Sequence, residues 1–140
     1  MTFVAPAVIV TLVCIALLHL AWGLGLPWPA ADEAQRAATV IGMRGVTRMP
    51  GLIPCLVVCA ALLTVAALAW WQAKAPGLLP QLALLATACV FLARGVAAWT
   101  PVWRAMAPQQ PFARLDALVY GPLCLALGAG LVFIALRARA

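Results

Sequence analysis

Four apolar runs of membrane-crossing length dominate this chain: Phe3–Leu24, Leu52–Trp71, Leu78–Trp99 and Asp116–Leu136. At 1.5 Å rise per residue each run makes a helix of about 30 Å, the thickness of a bilayer's hydrocarbon core. Inside lipid every backbone N–H and C=O must be satisfied within the protein, and the helix does so locally. The runs therefore predict an all-α fold, a single domain built as a four-transmembrane-helix bundle over residues 1–140. Composition agrees: 67% of residues are hydrophobic and only 9% charged, with a mean hydropathy of +1.11. A soluble domain carries about 25% charged residues because its surface meets water. The first run has no Lys or Arg before it, unlike a signal peptide's basic leader, and is expected to be a retained span.

Between the spans, residues 25–51 form the longest linker. Pro27, Trp28 and Pro29 open it, and Asp32 is placed to cap a short interfacial helix over 33–41. Gly42, Gly45, Pro50 and Gly51 then interrupt regular structure. Pro54 falls in the first turn of the second span, where proline is tolerated. The connection Gln72–Gly77 is short, so spans two and three are expected to be antiparallel neighbours. Trp22, Trp28, Trp70, Trp71, Trp99 and Trp103 cluster at span ends, where tryptophan anchors a protein at the interface.

The net charge of +6 does not point to nucleic acid, because the basic residues are scattered and form no stripe. They mark topology instead. Arg36, Arg44, Arg48, Arg104 and Arg114 lie in loops one and three, with Arg94 nearby; Lys74, Arg137 and Arg139 lie on the other side. The positive-inside rule then puts loops 25–51 and 100–115 in the cytoplasm and both termini outside. Lipid bilayer is the expected partner, with a homo-oligomer or a larger membrane complex as further partners.

Cys14, Cys55, Cys59, Cys89 and Cys124 all fall within apolar runs, and no CxxC pair occurs. They are read as small packing residues, with no disulfide framework and no metal site. No cofactor is expected: a bis-histidine haem needs two axial histidines, and His19 is the one histidine in the chain. Quinone reductases that make disulfides use loop cysteine pairs, which are absent here. Proton-coupled transport is disfavoured because Asp32, Glu33 and Asp116 are the only acids and none lies mid-membrane.

Four polar residues do converge. His19 lies five residues before Leu24 and Arg94 five before Trp99, each about 7.5 Å below the same interface. Asp116, Tyr120 and Cys124 follow at i, i+4 and i+8, one stripe on the fourth span, and Trp22 shares a face with His19. The functional reading is a shallow polar pocket, since ionisable groups within spans face the bundle interior. Arg94 would pair with Asp116 or hold an anionic group, His19 would act as acid, base or ligand, and Tyr120 would donate a hydrogen bond. The plainer reading has Arg94 reaching the headgroups, Asp116 capping the fourth helix, and their pairing setting register. Cys124 with Gly128 and Ala126 with Gly130 form a small-xxx-small pattern for close packing, within the bundle or in a homodimer.

His19-Leu20-Ala21-Trp22-Gly23-Leu24-Gly25, then Arg94-Gly95, then Phe112-Ala113-Arg114-Leu115-Asp116 running into Tyr120-Gly121-Pro122-Leu123-Cys124-Leu125 resemble a family of small bacterial four-helix membrane proteins catalogued as a domain of unknown function. The resemblance spans nearly the whole chain. Gly121 stands where such proteins often carry serine before the proline. It implies the four-helix fold, a bacterial cytoplasmic membrane, and weight for His19, Arg94, Asp116 and Tyr120; it implies no activity. Two functions remain: a non-catalytic membrane module or accessory protein, and a site for a lipid, quinone or other amphiphile at the His/Arg/Asp/Tyr cluster, with or without chemistry.

Overall fold

The computed structural model describes residues 3–137, so Arg139 lies outside the described residues. Within them the chain forms α1 (Val4–Gly23), α2 (Glu33–Val40), α3 (Leu52–Lys74), α4 (Leu78–Ala97), α5 (Pro101–Met106) and α6 (Phe112–Arg137). Helices α1, α3, α4 and α6 are each long and apolar enough to cross a membrane, and no strand is present among the described residues. The fold is an all-α, four-helix membrane bundle.

Two helices differ from the sequence expectation in an instructive way. Helix α6 starts at Phe112, four residues ahead of Asp116, because Pro111 occupies its N-cap and buried Phe112 and Ala113 anchor the first turn. Asp116 is therefore inside the helix and makes no cap. Helix α5 occupies part of what the sequence suggested was loop. Thr100 accepts a hydrogen bond from the Trp103 amide and Pro101 follows at the first helical position, a strong start signal. The linker helix α2 has Asp32 accepting from the Gln35 amide at 2.8 Å.

Helix α1 packs along α3, and α4 along α6; contact between the two pairs is sparser. Val8 and Leu12 of α1, Val65, Ala66 and Ala69 of α3, Leu84 and Ala88 of α4, and Leu127, Leu131, Ile134 and Ala135 of α6 form the core. Glycines set the close approaches. A Cβ on Gly128 would lie 2.7 Å from Leu92, and one on Gly130 would lie 2.5 Å from Val8. The small-residue pattern of the fourth span thus serves contacts within the bundle, Gly128 against α4 and Gly130 against α1. Ile53, Val57, Leu79, Val90 and Leu118 are exposed, as lipid-facing side chains should be.

At the end holding the α3–α4 turn, Gln72 is fully buried. Its Nε2 donates to the Ala135 carbonyl at 3.4 Å and its Oε1 accepts from the Gly77 amide at 3.1 Å. One amide thereby ties the turn to the end of α6, meeting the rule that buried polar groups are bonded.

Residues Asp116–Tyr120 form a π-helical turn inside α6, closed by the Gly121 amide donating to the Asp116 carbonyl. Pro122 accounts for it. Proline lacks an N–H and its ring clashes with the carbonyl four residues back, here that of Leu118. The wider turn relieves that clash, and π-bulges of this kind recur at functional sites.

Candidate functional site

The site begins at Asp116. Its side chain is almost fully buried, and both oxygens are engaged. Arg94 Nη2 donates to Oδ1 at 2.5 Å, and Trp103 Nε1 donates to Oδ2 at 2.7 Å. The Arg94 guanidinium also lies over the Trp103 ring, 4.6 Å from its centroid. Residues from α4, α5 and α6 thus close a triangle in which each touches the other two. Taking a carboxylate out of water is costly, and two charge-assisted bonds with a stacked cation offset that cost.

Trp103 was expected to anchor the chain at the interface; its indole N–H is instead committed to Asp116. Trp22 Nε1 donates to the Trp28 carbonyl at 2.8 Å, and the Trp22 ring meets His19 edge-on at 5.3 Å. Trp70, Trp71 and Trp99 are exposed. Position at a span end does not distinguish an anchor from a tryptophan with a buried acceptor, and the Thr100-Pro101 helix start was the signal that would have turned Trp103 toward the bundle.

His19 Nδ1 lies 2.8 Å from the Ile15 carbonyl oxygen. A carbonyl only accepts, so Nδ1 carries the proton and, in the neutral ring, Nε2 presents a lone pair.

His19 and Arg94 share a cavity of about 300 Å³, whose walls also include Trp22, Val40, Ile41, Met43, Met49, Pro50, Pro54, Cys55, Val58, Trp103 and Phe112. The lining is overwhelmingly apolar. Arg94 Nη1 is buried and has no hydrogen-bond partner, the one such side-chain N or O among the described residues. The Cys55 thiol donates to the Pro50 carbonyl at 3.8 Å.

Main-chain bonds join the two loops that bound this end. The Arg44 amide donates to the Met106 carbonyl at 3.1 Å, and the Gln109 amide to the Gly42 carbonyl at 3.1 Å. Gly42 has φ +65 and lies against Phe112, whose ring carbon would be 2.2 Å from any Cβ there. Arg36 folds the linker back on itself by donating to the carbonyls of Ala30 and Ala31. Glu33 accepts from the Met49 amide at 3.2 Å.

Of the four residues picked out by sequence, His19 and Arg94 line the cavity and Asp116 holds Arg94 from behind. Tyr120 is elsewhere: its hydroxyl donates a long, 3.5 Å bond to the Thr39 carbonyl and its ring packs on Phe112 at 5.7 Å. The π-turn explains this. It brings the fifth residue, Gly121, rather than the fourth, Tyr120, into hydrogen-bond register with the Asp116 carbonyl. No group of three or more His, Cys, Asp or Glu among the described residues is placed to hold a metal ion.

A family model described as "Protein of unknown function (DUF3995)" matches residues 12–131, and the chain belongs to that family. No curated protein and no solved structure matches the chain.

Proposed function

We propose that this DUF3995 protein is a non-catalytic membrane module that binds a small amphiphile, with the ligand's polar head in the cavity beside Arg94 and His19. The observation that carries the reading is a cavity of about 300 Å³ in whose mainly apolar wall Arg94 and His19 are the two basic residues. Small-molecule sites combine apolar walls with a few placed polar groups in this way, and a volume near 300 Å³ suits a head group whose tail extends into lipid.

Binding is favoured over catalysis because acid and base are not paired. Asp116 has both oxygens bonded to Arg94 and Trp103, and His19 is bonded to its own helix. A general acid or base must reach the substrate's proton directly or through one water, and both Asp116 oxygens are already engaged. We also propose that the cavity end faces the cytoplasm. Arg44, Arg48, Arg104 and Arg114 are exposed there, against Lys74 and Arg137 at the opposite end. Reporter fusions at the linker and at the α3–α4 turn test this orientation.

The binding test is gentle detergent extraction followed by native mass spectrometry. A retained small amphiphile, lost in His19→Ala, is the expected result. A protein without adducts in both forms, and without uptake of added amphiphiles, overturns the reading. Retention of a larger protein instead would favour an accessory subunit.

A further inference from the structure

We infer that the cavity opens sideways into the bilayer, at Pro54 and Val58 on the flank of α3, and admits a long-tailed amphiphile dissolved in the membrane rather than a small molecule arriving from water. The inference rests on the amphiphile-binding reading above and adds the ligand's source and class.

Of the residues lining the cavity, Pro50, Pro54 and Val58 are exposed, and all others are buried or half-buried. A wall residue that also meets the outside stands at an opening. Pro54 and Val58 are four apart, hence on one side of α3, and Pro50 lies just before the helix. Val58 is six residues past Leu52, about 9 Å into a helix long enough to cross a membrane. Its neighbours Ile53 and Val57 are 76% and 64% exposed, which makes this side of α3 a lipid-facing surface. The rim carries no charge, and its two prolines have no N–H to leave unsatisfied in lipid.

The other sides are packed or covered. Beside the rim the α1–α3 seam is tight: a Cβ on Gly23 would lie 2.8 Å from the Cys55 Cβ, and Cys55 is buried. Between α3 and α4 the core holds Val65, Ala66 and Ala69 with Leu84 and Ala88, all on the turn side of Val58 and Arg94. That seam is filled near the turn and hollow where Val58 and Arg94 line the cavity. Toward the water lies the linker, fixed by its two main-chain bonds to the α5–α6 connection. The linker residues in the wall, Ile41 and Met43 among them, are apolar, and the exposed Arg44 and Arg48 are not part of it. A polar solute from water thus meets no charged entrance, whereas an alkyl tail passing Pro54 and Val58 stays in apolar surroundings throughout.

The test places the purified full chain in phosphatidylcholine vesicles and offers two thiol reagents. N-dodecylmaleimide resides in lipid; a sulfonated maleimide, supplied to both faces, stays in water. Alkylation is read at each cysteine by peptide mass spectrometry. Cys55 lines the cavity, and Met43→Cys adds a second reporter on the linker wall. Cys14 and Cys89 are exposed on their spans and report reagent in the bilayer. The dodecyl reagent is expected to alkylate Cys55 and the thiol of Met43→Cys, and the sulfonate neither. Val58→Trp fills the rim and is expected to slow both wall reactions about tenfold, with Cys14 and Cys89 unchanged, while Val58→Ala speeds them. The two-reagent comparison at Cys55 needs no substitution, so it does not depend on a variant folding. Alkylation of the wall thiols by the sulfonate as fast as by the dodecyl reagent, or by neither reagent, overturns the lateral opening. So does an unchanged rate in a folded Val58→Trp protein. Each of these results leaves amphiphile binding standing; that reading fails separately, when native mass spectrometry finds no retained amphiphile.

Discussion

Trp103 and Asp116 are joined by a 2.7 Å hydrogen bond from the indole N–H to Oδ2, across a loop that contains the cis Gln110–Pro111 bond. The bond makes α5 part of the bundle, because the carboxylate it reaches is buried in α6. Trp103→Phe keeps an aromatic face for Arg94 and deletes only the donor. It is expected to lower stability by about 1–3 kcal/mol, the cost of an unsatisfied buried acceptor. Thermal denaturation in detergent, read by circular dichroism, checks this.

Arg94 and Asp116 should behave as a unit. Asp116→Ala strands a cation and Arg94→Ala strands a buried carboxylate. Each is expected to cost about 3 kcal/mol, the low end for broken buried pairs because Arg94 is partly exposed. The double variant Arg94→Ala/Asp116→Ala should cost less than the two single losses added together. A double-mutant cycle measures the coupling, and simple additivity would mean that the contact contributes nothing.

Gly42 carries two demands at once, a left-handed backbone and the absence of a Cβ beside Phe112. Gly42→Ala is expected to loosen the linker, at a cost of about 1–3 kcal/mol. Trypsin should then cut faster at the exposed Arg44 and Arg48. Gly51→Ala is the control: its φ is not positive and nothing lies within 4 Å, so cleavage should be unchanged.

Gly128 holds α6 against α4. In Gly128→Val the first added carbon would already meet Leu92 at 2.7 Å and the Ala88 carbonyl at 3.2 Å. Overpacking of this kind costs about 1–3 kcal/mol. The measurable outcome is a lower melting temperature, and a variant as stable as the parent would show that α4 and α6 separate without penalty.

The four spans could be read from the sequence because a membrane imposes length and apolarity, which Leu, Val, Ala and Ile state openly. Which faces meet could not. Both a buried Leu12 and an exposed Val10 on α1 are apolar, so lipid-facing and bundle-facing sides carry no contrasting pattern. Arg94 with Asp116 could be anticipated as a pair because opposite charges near one membrane face have few other partners. Tyr120 lies outside the cavity wall, on a turn that Pro122 widens, and spacing rules for a uniform helix do not register such a turn. Met43 and Met49 reach the cavity through a linker fold held by Gly42, Arg36 and Glu33, contacts between residues too distant in sequence for any periodicity to announce.

The two bonds joining the linker to the α5–α6 connection use only amide hydrogens and carbonyl oxygens. Every residue except proline supplies both. Substitutions at Arg44, Met106 or Gln109 can therefore alter charge and bulk without breaking those bonds, provided proline is avoided where an amide donates. Neighbouring Met43 and Met49, which face the cavity, are correspondingly free to diverge. The covering is a constant frame with interchangeable panels, and chains sharing this backbone are expected to differ in what they admit more than in how they close.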